Sequence, residues 1–167
     1  MKSLKRNIDI IIILLIGFAL RFTISFTHSY SNDELSAINR LQYDNFGELI
    51  EFGVKTGDMH PAGVQVFMKM WSKIAGVNEL GMRFPFVICG TLSILLIFLI
   101  GKKWINRQTG LIAAVLLSLL YFPIMNSEFA RPYSPGLMFS LLTAWFYLKL
   151  LFDEKKKWKD ELAILIK

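Results

Sequence analysis

Phe84-Pro-Phe-Val-Ile-Cys-Gly-Thr-Leu-Ser-Ile-Leu-Leu-Ile-Phe-Leu-Ile-Gly101 carries no charge, and Arg83 and Lys102 close it at its two ends. At about 1.5 Å per helical residue, a hydrocarbon core of about 30 Å takes about 20 residues. Backbone polar groups in lipid must be satisfied within their own segment, so this run reads as a helix across a bilayer. Three further stretches share its character: residues 8–26, 108–127 and 134–152. The first is interrupted only by Asp9 and Arg21, and the fourth only by Lys149. Each is apolar all round rather than along one stripe, which distinguishes it from a surface helix. The expected fold class is an all-α polytopic membrane protein with about four spans and a long loop over residues 27–83.

Composition agrees. Of the 167 residues, 54% are hydrophobic and 19% charged, and mean hydropathy is +0.46. A soluble domain carries about 25% charged residues. Disorder, a coiled coil and a collagen-like chain are excluded. A disulfide scaffold is excluded too, because Cys89 is the single cysteine. The net charge of +6 invites a nucleic-acid reading, but the positions of the charges remove it. Lys2, Lys5 and Arg6 precede span one, Lys102, Lys103 and Arg107 link spans two and three, and Lys155, Lys156, Lys157 and Lys159 follow span four. With four crossings these clusters share one side, and the positive-inside rule makes that side the cytoplasm. The expectation is a multi-pass protein of the cytoplasmic (inner) membrane with both termini cytoplasmic and no nucleic-acid partner. The stretch after Leu20 has no convincing small-x-small cleavage site, so residues 8–26 read as a retained span.

The 27–83 loop carries helical signals of its own. Ser31-Asn-Asp33-Glu34 is a capping box, with Leu35, Ile38 and Leu41 at helical spacing behind it. Residues 46–52 form a second short helical stretch, and Thr56-Gly-Asp58 reads as a turn. Pro61 suits the first turn of a third helix, which Gly76 stops. Val64, Phe67, Met68, Trp71, Ile74 and Ala75 form its apolar face, and Gln65, Lys69, Ser72 and Lys73 its polar face. This predicts an interfacial helix lying apolar side down, with Trp71 at headgroup depth.

The order of motifs then carries a resemblance. Asp33-Glu34 follows span one, and His60-Pro61 precedes the amphipathic helix. Glu79-Leu-Gly-Met-Arg83-Phe-Pro85 leads into span two, Gly110-Leu-Ile-Ala-Ala114 opens span three, and Glu128-Phe-Ala-Arg131-Pro-Tyr133 joins spans three and four. This set resembles the N-terminal part of the GT-C glycosyltransferases. The nearest branch is that of protein O-mannosyltransferases, aminoarabinose transferases and rhizobial lipopolysaccharide-core glycosyltransferases. The resemblance implies a multi-pass enzyme that takes its sugar from a polyprenyl-phosphate carrier. It implies a catalytic carboxylate at an Asp-Glu pair, here Asp33-Glu34. It also implies a longer chain with more spans. The resemblance makes residues 1–152 a GT-C-like membrane module. Residues 153–167 read as a basic cytoplasmic tail and the threshold of a fifth span.

Transfer from a lipid phosphate to a hydroxyl needs a base, a positive group for the leaving phosphate, and a site at headgroup depth. Asp33 is the candidate base. Glu34 is the second carboxylate, orienting Asp33 or binding a divalent metal ion; both acids also suit a plain capped helix start. Arg131 is placed to bind the donor phosphate or to pair with Glu128 at i,i+3 spacing. Tyr133 lies on the same side. Arg21, inside span one, either snorkels outward, the favoured reading, or faces the phosphate. His60 is a candidate substrate contact or an ordinary helix-start residue. Arg83 reads as an anchor of span two. Asp33, Glu34, Asp58 and His60 have no diagnostic metal spacing, so no ligand set is assigned. No P-loop or Rossmann glycine motif is present, which disfavours a nucleotide-sugar donor. The expected partners are a polyprenyl-phosphate-linked sugar, membrane lipid, and a glycan, lipid or protein acceptor. The alternative is a non-catalytic multi-pass subunit that binds the lipid-linked sugar.

Overall fold

A computed structural model describes residues 7–25, 27–43, 45–55 and 62–165, with side chains up to residue 152. The described elements are α1 (Ile8–Ser25), α2 (Asn32–Asn39), a 3₁₀ turn (Arg40–Gln42), α3 (Phe46–Glu48) running into a π-helical stretch (Leu49–Lys55), α4 (Ala62–Ala75), α5 (Glu79–Trp104), α6 (Arg107–Leu119), α7 (Tyr121–Glu128) and α8 (Tyr133–Leu165). Three of them are long and apolar enough to cross a membrane: α1, α5 and the 133–152 part of α8. α6 and α7, bent by 59° at the break between them, pass the same test as a pair and make a fourth candidate span when taken as one. The chain is therefore an all-α polytopic membrane protein, and α8 continues through residue 152 without a break.

The broken third span corrects the expectation of one continuous helix over 108–127. Proline has no N–H to give the carbonyl four residues back, and its ring collides with that carbonyl inside a helix. An unbroken span would put Pro123 in that position against Leu119. Instead Leu120 turns to an extended conformation (φ −64°, ψ 133°), and Pro123 falls in the first turn of α7, where a missing N–H costs nothing. The break strands carbonyls at the end of α6. Arg21 takes them, its Nη2 donating to Leu117 O at 2.8 Å and its Nη1 to Ser118 O at 3.3 Å. Arg21 is fully buried, so the snorkelling expected of it is overturned. The unmet carbonyls of the break supply an inward set of acceptors that headgroup water would otherwise provide.

α5 is the central helix, touching α1, α4, α6, α7 and α8. Small residues let its neighbours close in, as membrane helix pairs require. A Cβ at Gly101 would stand 2.7 Å from Gly110 Cα, so the α5–α6 hairpin admits no side chain there. At one end of the bundle Arg107 binds Asp9 at 2.6 Å, and Lys103 lies over the rings of Trp104 and Trp145. The N-terminus of α1, the α5–α6 turn and Trp145 of α8 thus share an end, the alternation expected of consecutive spans.

α2, α3 and α4 cover the opposite end. Ser31 caps α2 with both halves of the capping box formed, and Gly76, at φ +73°, ends α4. The face expected of α4 is partly reversed. Met68 packs inward with Ala37, Met82, Phe86 and Ala130, but Gln65 and Lys69 point inward beside it. Gln65 Nε2 donates to Ala37 O at 2.7 Å, and Lys69 Nζ to Leu41 O at 3.2 Å and to Tyr43 O. Phe67, Met70 and Ile74 face outward. The end of α2 and the turn behind it leave carbonyls that need donors, and α4 meets them from its polar side. Trp71 is fixed by a similar accounting. Pro85 cannot bond Gly81 O, and Trp71 Nε1 donates to that oxygen at 2.9 Å.

Candidate functional site

Asp33 and Glu34 are neighbours in the first turn of α2, about 100° apart around its axis, so they cannot face the same way. Glu34 turns inward and is fully buried. Its Oε1 accepts from Arg83 Nε at 2.8 Å and from the Ala130 backbone N–H at 3.0 Å. Its Oε2 accepts from Arg83 Nη2 at 2.7 Å, Ser31 N–H at 3.0 Å and Ser31 Oγ at 3.1 Å. Arg83 uses its remaining donors on Ser25 O at 2.8 Å, His28 O at 2.7 Å and Ser29 O at 3.1 Å. Every N–H of its guanidinium therefore has an acceptor. This pair ties α2, the 25–29 link, α5 and the 129–131 link into one unit. Burial pushes the Glu34 carboxyl up, but the Arg83 bond and the Ala130 and Ser31 N–H bonds outweigh it, leaving it below the usual carboxylate range. Arg83 is thus more than a boundary anchor.

Asp33 turns outward, with its side chain 52% exposed. Arg131 Nε stands 3.1 Å from Asp33 Oδ2, while Arg131 itself is only 4% exposed. Tyr133 Oη donates to the same oxygen at 3.3 Å. The 129–133 link delivers both residues, and the Ala130 bond to Glu34 sets its height against α2. The arrangement has a buried cation behind a half-exposed carboxylate.

The remaining sequence candidates fall elsewhere. Arg21 lies deeper, its Nε donating to Ser127 Oγ at 3.2 Å and its Nη1 to Gly17 O at 3.0 Å, and it supports the α6–α7 break. His60, with Asp58 and Pro61, lies outside the described residues. Among the described residues no group of three or more His, Cys, Asp or Glu is placed to hold a metal ion. The cationic neighbour of Asp33 is a guanidinium.

Sequence reasoning missed the Glu34–Arg83 pair. The sequence placed Arg83 at the edge of an apolar run, but nothing in it showed that Glu34 turns inward to meet that arginine. Also unforeseen is an apolar groove of about 510 Å³ beside the cluster, between α4, α5 and the first turns of α8. Phe67, Phe86, Cys89 and Phe139 line it, and Pro132 forms part of its wall between Arg131 and Tyr133.

Comparison with known proteins supplies the family. Residues 59–166 match the dolichyl-phosphate-mannose-protein mannosyltransferase family. The match takes in Arg83, Arg131, Tyr133 and the groove, and begins after Asp33. An uncharacterized protein of Aquifex aeolicus (strain VF5) is 32% identical over 94 residues, which is 56% of this chain and 19% of that protein. The aligned part of the chain thus spans about a fifth of that relative's length. No solved structure matches. The chain belongs to the dolichyl-phosphate-mannose-protein mannosyltransferase family.

Proposed function

We propose that the protein is a GT-C-type glycosyltransferase that moves a sugar from a polyprenyl-phosphate carrier to an acceptor hydroxyl at the outer face of the cytoplasmic membrane. One observation carries this reading: Asp33, Arg131 and Tyr133 meet within 3.3 Å at the end of the bundle opposite the Asp9–Arg107 pair. Family membership favours a lipid-linked donor, and the positive-inside rule favours the outer face.

In this reading Asp33 takes the proton of the acceptor hydroxyl as its oxygen attacks the anomeric carbon. The bond from that carbon to the phosphate oxygen breaks, and the lipid phosphate leaves with the electron pair. Arg131, itself buried, stabilises the phosphate charge. Tyr133 orients the carboxylate. Glu34 and Arg83 act as positioning residues, since they set the 129–131 link against α2.

The test is complementation of a strain that lacks the gene, scored by the glycan it makes. The full reading frame should restore the glycan, and its Asp33→Asn and Arg131→Met forms should not. Restoration by Asp33→Asn equal to the parent overturns the base assignment. The alternative, a non-catalytic subunit that binds the lipid-linked sugar, requires the Asp33→Asn form to restore the glycan as the parent does, with Arg131→Met still defective through loss of the phosphate contact.

A further inference from the structure

We propose that Gly90 and Ser127 are positioning residues for Arg131, and that one face of α5 sets how far its guanidinium reaches toward a lipid-borne phosphate. This rests on the reading of Arg131 as the group that meets the donor phosphate. The link that carries Arg131 and Tyr133 is tied down at three points. Ser127, buried near the end of α7, sits against Gly90 of α5. The Ala130 N–H donates to Glu34, which Arg83 of α5 holds. Ser134, buried in the first turn of α8, donates from its Oγ to Phe86 O of α5 at 2.9 Å. Arg83, Phe86 and Gly90 stand at i, i+3 and i+7, so all three ties fall on one stripe of one helix. Arg131 lies between the second tie and the third.

Gly90 is where this stripe has no slack. A Cβ there would stand 2.2 Å from Ser127 Oγ, 2.8 Å from Ser127 Cβ and 3.1 Å from Arg21 Nε. Turning the hydroxyl away does not relieve the clash, because the Cβ–Cβ distance is itself below the 3.4 Å at which ordinary contact begins. The hydroxyl is also occupied. It accepts from Arg21 Nε at 3.2 Å and donates to Pro123 O at 2.7 Å. Arg21 bonds Leu117 O and Ser118 O of α6 at the same time, so it holds both sides of the break. α7 is thereby fixed in distance from α5 and in angle to α6. With a side chain at position 90, α7 must withdraw by at least about half an ångström. The shift passes into the link, whose Ala130 bond to Glu34 is already 3.0 Å long, and Arg131 moves relative to Asp33 on α2.

The experiment measures the affinity of the full-length protein, in lipid nanodiscs, for a long-chain polyprenyl monophosphate. Gly90→Ala should weaken binding about tenfold, the loss expected when one charge-assisted hydrogen bond is forfeited. Arg131→Met should weaken it at least as much. In the Arg131→Met background Gly90→Ala should add nothing further, because the two act through one contact. Ser127→Gly removes the atoms in the way, so combined with Gly90→Ala it should return the affinity to within about threefold of the parent. Ser134→Ala removes the third tie without adding volume. It should weaken binding about twofold to tenfold, the range one lost hydrogen bond allows, and it too should be silent in the Arg131→Met background.

A purely structural role for Gly90 would carry its loss undiminished into the Arg131→Met background, and that result overturns the proposal. Parent-like binding by both Gly90→Ala and Ser134→Ala overturns it as well. Should Gly90→Ala fail to fold, Ser134→Ala decides by the same comparison. Weak binding by Arg131→Met with parent-like binding by the other two rejects the positioning role alone. Parent-like binding by Arg131→Met rejects the phosphate contact itself, and the positioning role with it.

Discussion

Replacing Glu34 by glutamine separates the roles of two adjacent acids. The exchange preserves shape and removes one charge. In the native structure that charge accepts five hydrogen bonds and faces an arginine that is 2% exposed. Without it, Arg83 keeps three carbonyl acceptors but has lost its counter-charge, and the glutamine NH₂ points at a donor. Breaking a buried pair from one side costs about 3–5 kcal/mol. For a chain of this size about 1 kcal/mol corresponds to about 2–4 °C, so the thermal midpoint in detergent should fall by roughly 6–20 °C. Asp33→Asn, at a half-exposed side chain, should stay within about 0.5 kcal/mol of the parent. Removing both charges, as Glu34→Leu with Arg83→Met, should recover much of the loss, because the stranded charge is gone. Equal midpoints for Glu34→Gln and Asp33→Asn would refute the idea that Glu34 is a buried structural partner.

Further outcomes follow from the same geometry. Because the folded Glu34 carboxyl sits below its ordinary value of 4.5, its contribution is complete above about pH 4.5 and is lost as pH falls through the lower folded value. Glu34→Gln should flatten that acid limb in a pH-dependent unfolding series. Arg21→Met leaves the Leu117 and Ser118 carbonyls without their donor, at a cost of about 1–3 kcal/mol in the same melts. Gly101→Val drives a side chain into the Gly110 backbone and should cost at least about 1–3 kcal/mol. Asp33→Cys in a Cys89→Ser background should react with an impermeant maleimide added outside intact cells. Protection until permeabilisation would contradict the outer-face placement.

The spans were legible because hydropathy over a charge-free run reports the one property a bilayer demands. The break in span three was equally present, at Pro123, but hydropathy is blind to a missing N–H. The faces of α4 were misread for a different reason. Amphipathic pattern assigns polar residues to water, whereas Gln65 and Lys69 answer carbonyls at the end of α2 that only the folded chain reveals. Arg21 was misread in the same way, since its acceptors exist only once α6 breaks. Asp33, Arg131 and Tyr133 could be named from motif order, but their meeting depends on the Glu34–Ala130 bond. Periodicity carries no information on a contact across ninety-six residues.

The most direct test is the initial rate of sugar transfer from a polyprenyl-phosphate donor in membranes that carry the full-length protein, parent against Asp33→Asn. Loss of a positioned general base lowers such a rate by about 10²–10⁴-fold, with protein level and melting unchanged. A rate within about twofold of the parent would remove Asp33 from the chemistry, and with it the role given to Arg131 and Tyr133.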